Sequence, residues 1–286
     1  MRIELSGVRK RYGKVVALDG VDLDVPSGAR VALIGANGSG KTTLTRVVMG
    51  LIRHEGVLKL GGAPAVPRSL SLAQRIAYVP QIAPPWAAPV GDVVAAVGAL
   101  RGVPRERFAQ MGERLGVHLD SINRRAFRSL SGGTKQKVLL ALALAAPASL
   151  VILDEPTASL DAAARRRFFD VADQALGDAT VLLCSHRLDE LRTMVDHVAV
   201  LAEGKVAWSG PAEKYLADHT AATIAVRVDT GDDAWLRAHG FARGAGGWWR
   251  RTANATEKLA LVPQALAALG ARVRDLAIHD TEKLDA

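Results

Sequence analysis

The sequence predicts an α/β fold with a doubly wound parallel sheet, followed by a small α+β domain of ferredoxin-like order. Three observations carry that expectation. Short apolar segments such as RVALI at 30–34, LVIL at 150–153 and TVLLC at 180–184 alternate with segments of helical spacing. That is how strands buried on both faces of a parallel sheet and joined by crossover helices read. A glycine-rich loop, 35–40, lies between one such strand and a helix, and beyond about residue 222 the order becomes β-α-β-β-α-β.

Each element has its own signal. Residues 15–25 (VVALDGVDLDV) alternate as a strand does, and Pro26-Ser27-Gly28 ends them as a turn. After the loop, helical spacing runs through Met49 and stops at Gly50. Between Trp86 and Arg128 β-branched runs vanish, and Arg101, Arg105, Arg107, Arg114, Arg124, Arg125 and Arg128 stand among Ala, Leu and Gly: a basic helical insertion. A buried helix over 138–145, a helix over 162–175 and the strands between them complete the larger domain, expected over 1–216 with a helical subdomain at about 86–145.

The smaller domain is expected over 222–286. Residues 223–228 read as a strand, 232–238 as a short helix, 241–243 and 248–252 as a hairpin about Gly244-Ala245-Gly246-Gly247. Asn254 caps a helix that runs to Leu269 and stops at Gly270, and 272–278 closes the unit. Trp235, Trp248 and Trp249 supply its core and one exposed face.

Composition bounds the chemistry. The 286 residues include 37 Lys and Arg against 29 Asp and Glu, a formal charge of +8. The excess suits a polyanionic partner (nucleotide, nucleic acid or anionic lipid) or a solvated arginine-rich surface. The single cysteine, Cys184, excludes a disulfide framework and a Cys-rich zinc site and fits a reducing compartment. No signal peptide is legible in MRIELSGVRKRY. The longest apolar run, 138–153, is interrupted by Pro147 and falls short of the ~20 residues of a membrane helix.

The chemistry-bearing motif is Gly35-Ala36-Asn37-Gly38-Ser39-Gly40-Lys41-Thr42, which fits G-x-x-x-x-G-K-[ST]. Its glycines let backbone N–H groups face a triphosphate, Lys41 reaches the β- and γ-phosphates, and Thr42 offers an oxygen to Mg²⁺. The helix that follows, with Thr43 in its first turn, points its positive end inward. By composition such a match arises by chance in roughly one chain in a hundred. An apolar strand ending in Asp154-Glu155 follows downstream. Asp154 suits the Mg²⁺ shell, and Glu155 suits polarising the attacking water. Alone, a strand ending in acids is a weak signal; after a phosphate loop it is a strong one.

Adding Leu130-Ser131-Gly132-Gly133, Leu153-Asp154-Glu155-Pro156 and Ser185-His186 in that order, the chain resembles the ATP-binding-cassette (ABC) ATPases over about residues 3–216. The resemblance implies a P-loop NTPase core with the family's roles. Tyr12 would stack on adenine, and Gln81 would touch Mg²⁺ and the attacking water and connect to the membrane partner. Ser131, Gly132 and Gly133 would face the γ-phosphate held by a second copy. Asp161 would communicate between the two sites, and His186 would bond the γ-phosphate and orient the catalytic acid. The departures are Pro84-Pro85-Trp86 after Gln81, Thr134 where the family often has Gln, and a shortened turn at 53–56.

The implied function is ATP hydrolysis that powers a membrane transporter. The cofactors are ATP and Mg²⁺, and the partners a second copy of the chain and separate transmembrane permease subunits, at the cytoplasmic face of the membrane. The segment Ser-Gly-Gly-Thr-Lys-Gln-Lys and the small C-terminal domain resemble cassettes of the ABC-2 (exporter-like) group, such as the one serving nitrous-oxide reductase maturation. The arginines of the insertion would then face the permease or lipid headgroups. The alternative is a soluble ABC ATPase acting on nucleic acid or the ribosome. Such relatives carry a long coiled coil, zinc cysteines or tandem cassettes. This sequence has none of the three, so nucleic acid is not an expected partner.

Overall fold

The structure, a computed structural model, describes residues 1–185, 187–229 and 233–282. It divides into two compact units, Met1–Pro211 and Ala212–Ala286. The first runs β1 (Ile3–Tyr12), β2 (Val15–Val25), β3 (Arg30–Ile34), α1 (Lys41–Val48), β4 (Glu55–Leu60), β5 (Ala63–Pro64), α2 (Leu70–Arg75) and β6 (Ile76–Val79). It continues with α3 (Val90–Arg101), α4 (Arg105–Leu115), α5 (Gly132–Leu144), β7 (Leu150–Asp154), α6 (Ala162–Leu176), β8 (Thr180–Cys184), α7 (Leu188–Met194), β9 (His197–Ala202) and β10 (Lys205–Pro211).

Six strands form the central sheet in the order β10-β9-β3-β8-β7-β6, parallel except for β10. Every residue of β7 and β8 is buried, because the sheet is covered on both faces. Alternate residues therefore enter different cores. Val151, Leu153, Val181 and Leu183 pack with Val138, Leu140 and Phe168 of the helices. Leu150, Ile152, Leu182 and Cys184 pack with Leu5, Leu18 and Val21 of a second, antiparallel sheet ordered β2-β1-β4-β5. The α/β class expected from the sequence is the observed one.

The expected basic insertion is the α3–α4 pair and the short 3-10 turns after it. Phe108, Met111 and Leu115, at i, i+3 and i+7 of α4, form its buried stripe. Several of its arginines are committed to internal contacts. The half-buried Arg101 donates to the carbonyls of Ile76 (3.2 Å) and Pro147 (2.7 Å), and burial lowers its pKa. Arg105 pairs with Asp120 at 2.7 Å, and Arg114 donates to Gln174 at 2.8 Å. Arg101 and Arg114 thus tie the insertion to the core, whereas Arg105 is paired within it. Among the described residues no helix is long and apolar enough to cross a membrane.

The second unit contains α8 (Ala212–His219), β11 (Thr220–Val228), α9 (Ala234–Ala238), β12 (Ala242–Arg243), β13 (Trp248–Ala253), α10 (Ala255–Leu269) and β14 (Val273–Glu282). Its strands pair antiparallel in the order β12-β13-β11-β14, the split β-α-β arrangement of ferredoxin-like folds. Ile224, Val226, Leu236, Phe241, Trp249 and Leu261 make its core. Trp249 is buried with Arg237 and Arg243 at its ring, 5.8 and 6.0 Å from the centroid, whereas Trp235 is half-buried and stacks on His239.

Asn254 begins α10 with a reciprocal cap. Its side chain accepts the Glu257 N–H at 2.8 Å, and the Glu257 carboxylate accepts the Asn254 N–H at 2.9 Å. Replacing Asn254 with Ala is expected to destabilise this unit by about 1 kcal/mol. Urea unfolding followed by tryptophan emission checks it, since three of the five tryptophans lie here.

Candidate functional site

The parallel register builds the site. Leu33 of β3 and Asp154 of β7 both align with Cys184 of the intervening β8, so the carboxyl ends of three strands are level. Open parallel sheets bind ligands at such ends. The loop 35–40 leaves β3 here. Gly35 (φ +156°) and Gly40 (φ +108°) have backbone conformations that L side chains rarely adopt. A Cβ on Gly35 would overlap the Leu201 carbonyl and the Ser39 hydroxyl; one on Gly40 would overlap the Ala17 carbonyl. The loop is thus wedged between β2 and the β9–β10 turn, where the Gly204 N–H donates to the Ser39 carbonyl at 3.0 Å.

Lys41 opens α1 and folds back over the loop, donating to the carbonyls of Gly35 and Ala36, the latter at 3.0 Å. The helix has no side-chain cap, which leaves its first-turn N–H groups facing the loop's concavity. The Ser39 hydroxyl is buried with no hydrogen-bond partner among the described residues. A cradle of this kind suits an anion that accepts several hydrogen bonds.

A cavity of about 510 Å³ adjoins the loop. Its wall contains Gly35, Ala36, Asn37, Gly38, Gly40, Lys41, Thr42, Thr43, Gln81, Asp154, Glu155 and Ser185, with Val15, Val16 and Ala17 of β2. Asp154 is 6% exposed. Burial first, and then repulsion from Glu155, raises its pKa above the ordinary aspartate value; Lys41 and Arg46 pull it the other way. Glu155 takes a left-handed backbone (φ +47°) with its N–H on the Cys184 carbonyl at 2.8 Å. For a residue with a Cβ that conformation costs on the order of 1–2 kcal/mol, and such strain clusters at functional sites.

Thr42, Gln81 and Asp154 offer a hydroxyl, an amide and a carboxylate in one wall. This all-oxygen set fits Mg²⁺, which takes few protein ligands and completes its shell with phosphate and water.

The other sequence-derived candidates lie elsewhere. Tyr12 is 45% exposed at the tip of the β1–β2 hairpin with Lys10 5.1 Å from its ring centre, and the cavity wall there is Val15–Ala17 instead. Ser131 caps α5, accepting the Thr134 N–H at 3.3 Å; its hydroxyl also bonds the Thr134 hydroxyl at 2.8 Å. Gly132 and Gly133 open that helix beside Ser159, and Asp161 caps α6 through the Ala164 N–H at 2.7 Å. His186 lies outside the described residues, and its neighbour Ser185 is in the cavity wall.

Sequence reasoning missed a buried polar connection behind the site. Gln136 of α5 donates to the Pro156 carbonyl at 2.9 Å, and the Thr157 hydroxyl donates to the fully buried Glu190 carboxylate of α7. The loop after Asp154-Glu155 is therefore tied to two helices. Gln136 stands between Lys135 and Lys137, ahead of the apolar run that begins at Val138, so its burial has no local signal in the sequence.

A strand–loop–helix cradle with its lysine folded over it, level with a buried acid on a nearby parallel strand, places the chain among the P-loop nucleotide-binding proteins. The family described as ABC transporter matches residues 18–158. The chain is 36% identical over 230 residues to the Fe(3+) ions import ATP-binding protein FbpC of Mesorhizobium japonicum, covering 75% of this chain and 62% of that one. It is 35% identical to the nickel import ATP-binding protein NikO of Rhodobacter capsulatus, covering 75% and 91%. It is 33% identical to the daunorubicin/doxorubicin resistance ATP-binding protein DrrA of Streptomyces peucetius, covering 73% and 64%. A solved ATP-binding subunit of an ABC transporter superposes with a TM-score of 0.66 at 23% identity, over 75% of this chain and 91% of that one, a likeness of fold. The chain belongs to the ABC transporter family of ATP-binding proteins.

Because Asp154 is harder to ionise in the folded chain than in the unfolded one, the fold binds more protons there, and its contribution to stability falls as pH rises above the ordinary aspartate value of about 4. Asp154→Asn removes that penalty. Without nucleotide or metal, its melting temperature is expected to exceed the parent's by a margin that grows from pH 4 toward pH 7, in paired thermal scans.

Proposed function

We propose that this chain is the ATP-hydrolysing subunit of a membrane transporter, and that Glu155 is its general base. The observation that carries the reading is the turn at 154–155. One acid ends the strand and the next, turned by its left-handed backbone, joins the same cavity wall as Lys41 and Thr42. Lys41 and the N–H groups of the loop hold the β- and γ-phosphates of ATP. Thr42, Gln81 and Asp154 are the residues that would hold Mg²⁺, which when bound neutralises phosphate charge. Glu155 accepts the proton of the attacking water, and His186 hydrogen-bonds the γ-phosphate. Val15–Ala17 of the cavity wall flank the adenine, and Tyr12, exposed at the tip of the same hairpin, is the ring proposed to stack on it.

Ser131 stands at the N-terminus of α5, whose positive end suits the γ-phosphate of a second copy's ATP. Two such sites close a homodimer, and permease subunits at the cytoplasmic face of the membrane follow its closing and opening. The exporter-like ABC-2 assignment is supported by Ser-Gly-Gly-Thr-Lys-Gln-Lys at 131–137, by the ferredoxin-like second unit and by the likeness to DrrA. FbpC and NikO, both named for import, match as well. Identification of the permease that co-purifies with the chain, and the direction of transport in vesicles carrying both, decide that point.

Glu155→Gln is expected to retain ATP binding, lower hydrolysis by about 100-fold or more and accumulate a dimer in ATP, read by phosphate release and gel filtration. A parental hydrolysis rate would remove Glu155 from the mechanism. Lys41→Ala is expected to weaken binding itself by about ten-fold or more, read by titration with a fluorescent ATP analogue.

A further inference from the structure

The second unit's sheet has unequal edges. β12 is two residues long; β14 is ten residues long and, among the described residues, pairs only with β11. A free edge of that length presents a row of backbone donors and acceptors to another strand. Edges are usually blunted by charged side chains, lysine above all, by proline or by a bulge. β14 has neither proline nor lysine, its charges are of both signs (Arg274 against Asp275, Asp280 and Glu282) and so can pair with a second copy, and its one register irregularity is confined to its first residues.

We propose that β14 pairs antiparallel with β14 of a second copy of this chain, joining two four-stranded sheets into one. A two-fold axis between antiparallel edge strands stands perpendicular to the sheet, so opposed residues must share a face. That admits only registers that step two residues at a time. With the axis on Ala277, Asp275 lies opposite His279, Leu276 opposite Ile278 and Arg274 opposite Asp280. With the axis on Leu276, Arg274 faces Ile278; with the axis on Ile278, Leu276 faces Asp280; with the axis on Asp275, two carboxylates meet. Among these, the Ala277 register alone sets polar against polar at 274/280 and 275/279 and apolar against apolar at 276/278, the pairing that stabilises sheets, with the Val273/Thr281 pair at the strand ends left mixed.

Exposure agrees with that register. Ile278 is 41% exposed and Leu276 packs only partly on the unit's core, while Asp275 and His279 are exposed. Arg274 lies 2.6 Å from Asp229, yet its side chain remains 61% exposed and keeps donors for a further acceptor. The pairing uses no nucleotide, so it stands apart from the ATPase reading. It would keep two copies associated when ATP is absent.

Sedimentation of the full chain without nucleotide is expected to show a monomer–dimer equilibrium. Asp275→Lys, a mismatch that occurs twice per dimer, should raise its Kd about ten-fold. Adding His279→Asp should restore it, which a folding defect would not allow. Ala277→Cys should give a disulfide-linked dimer on mild oxidation, several-fold more than Arg227→Cys on the central strand β11; Cys184 is buried and does not compete. A parent chain that stays monomeric through the micromolar range, or equal cross-linking at the two positions, overturns the proposal.

Discussion

Cys184 sits at the hinge of the molecule's alignment. Because it pairs in register with Leu33 on one side and Asp154 on the other, the loop after β3 and the acids after β7 meet without either strand having to bend. The same register makes the thiol fully buried and hard to ionise, with burial the main cause and the Asp154 carboxylate the next. A small apolar side chain is what this crowded point accepts. The loop's glycines, the Lys41 fold-back and the Gly204 contact all presuppose that strand ends are level.

Electrostatics follow from that alignment. Two acids in succession, both of them buried, would be costly if isolated. Lys41 and Arg46 offset part of the repulsion, so the cation of the phosphate cradle also belongs to the acids' environment. An anion in the cradle and the carboxylates are therefore linked energetically: filling the cradle alters the charge that Asp154 experiences. The strained backbone at Glu155 is held by its N–H bond to Cys184, which returns the account to the same strand.

Local rules were enough for much of this. The strands 30–34 and 180–184 and the helix that ends at Leu269 were legible from apolar periodicity and stop residues, and the Asn254 cap from its place before an apolar helical run. The phosphate loop was legible because its glycines obey backbone sterics. What remained hidden depends on distant partners. Nothing near Arg101 signals that its guanidinium reaches a carbonyl 46 residues away. Glu190 reads as a solvated helix acid, yet it is buried under a hydroxyl 33 residues earlier. The role of Val15–Ala17 in the cavity wall depends on how the β1–β2 hairpin lies over the loop, which strand periodicity does not encode.

The division of β7 between two cores ties packing to chemistry in one reading frame. Gaining or losing a single residue before Asp154 would exchange Leu150 and Ile152 with Val151 and Leu153 between the cores. It would also move the acids one position along the strand and turn them to opposite faces. A frame error here thus disturbs the packing of both cores and the placement of the acids at once. The central strands can therefore drift in residue type but hardly in length, and tolerance for insertions is left to the turns.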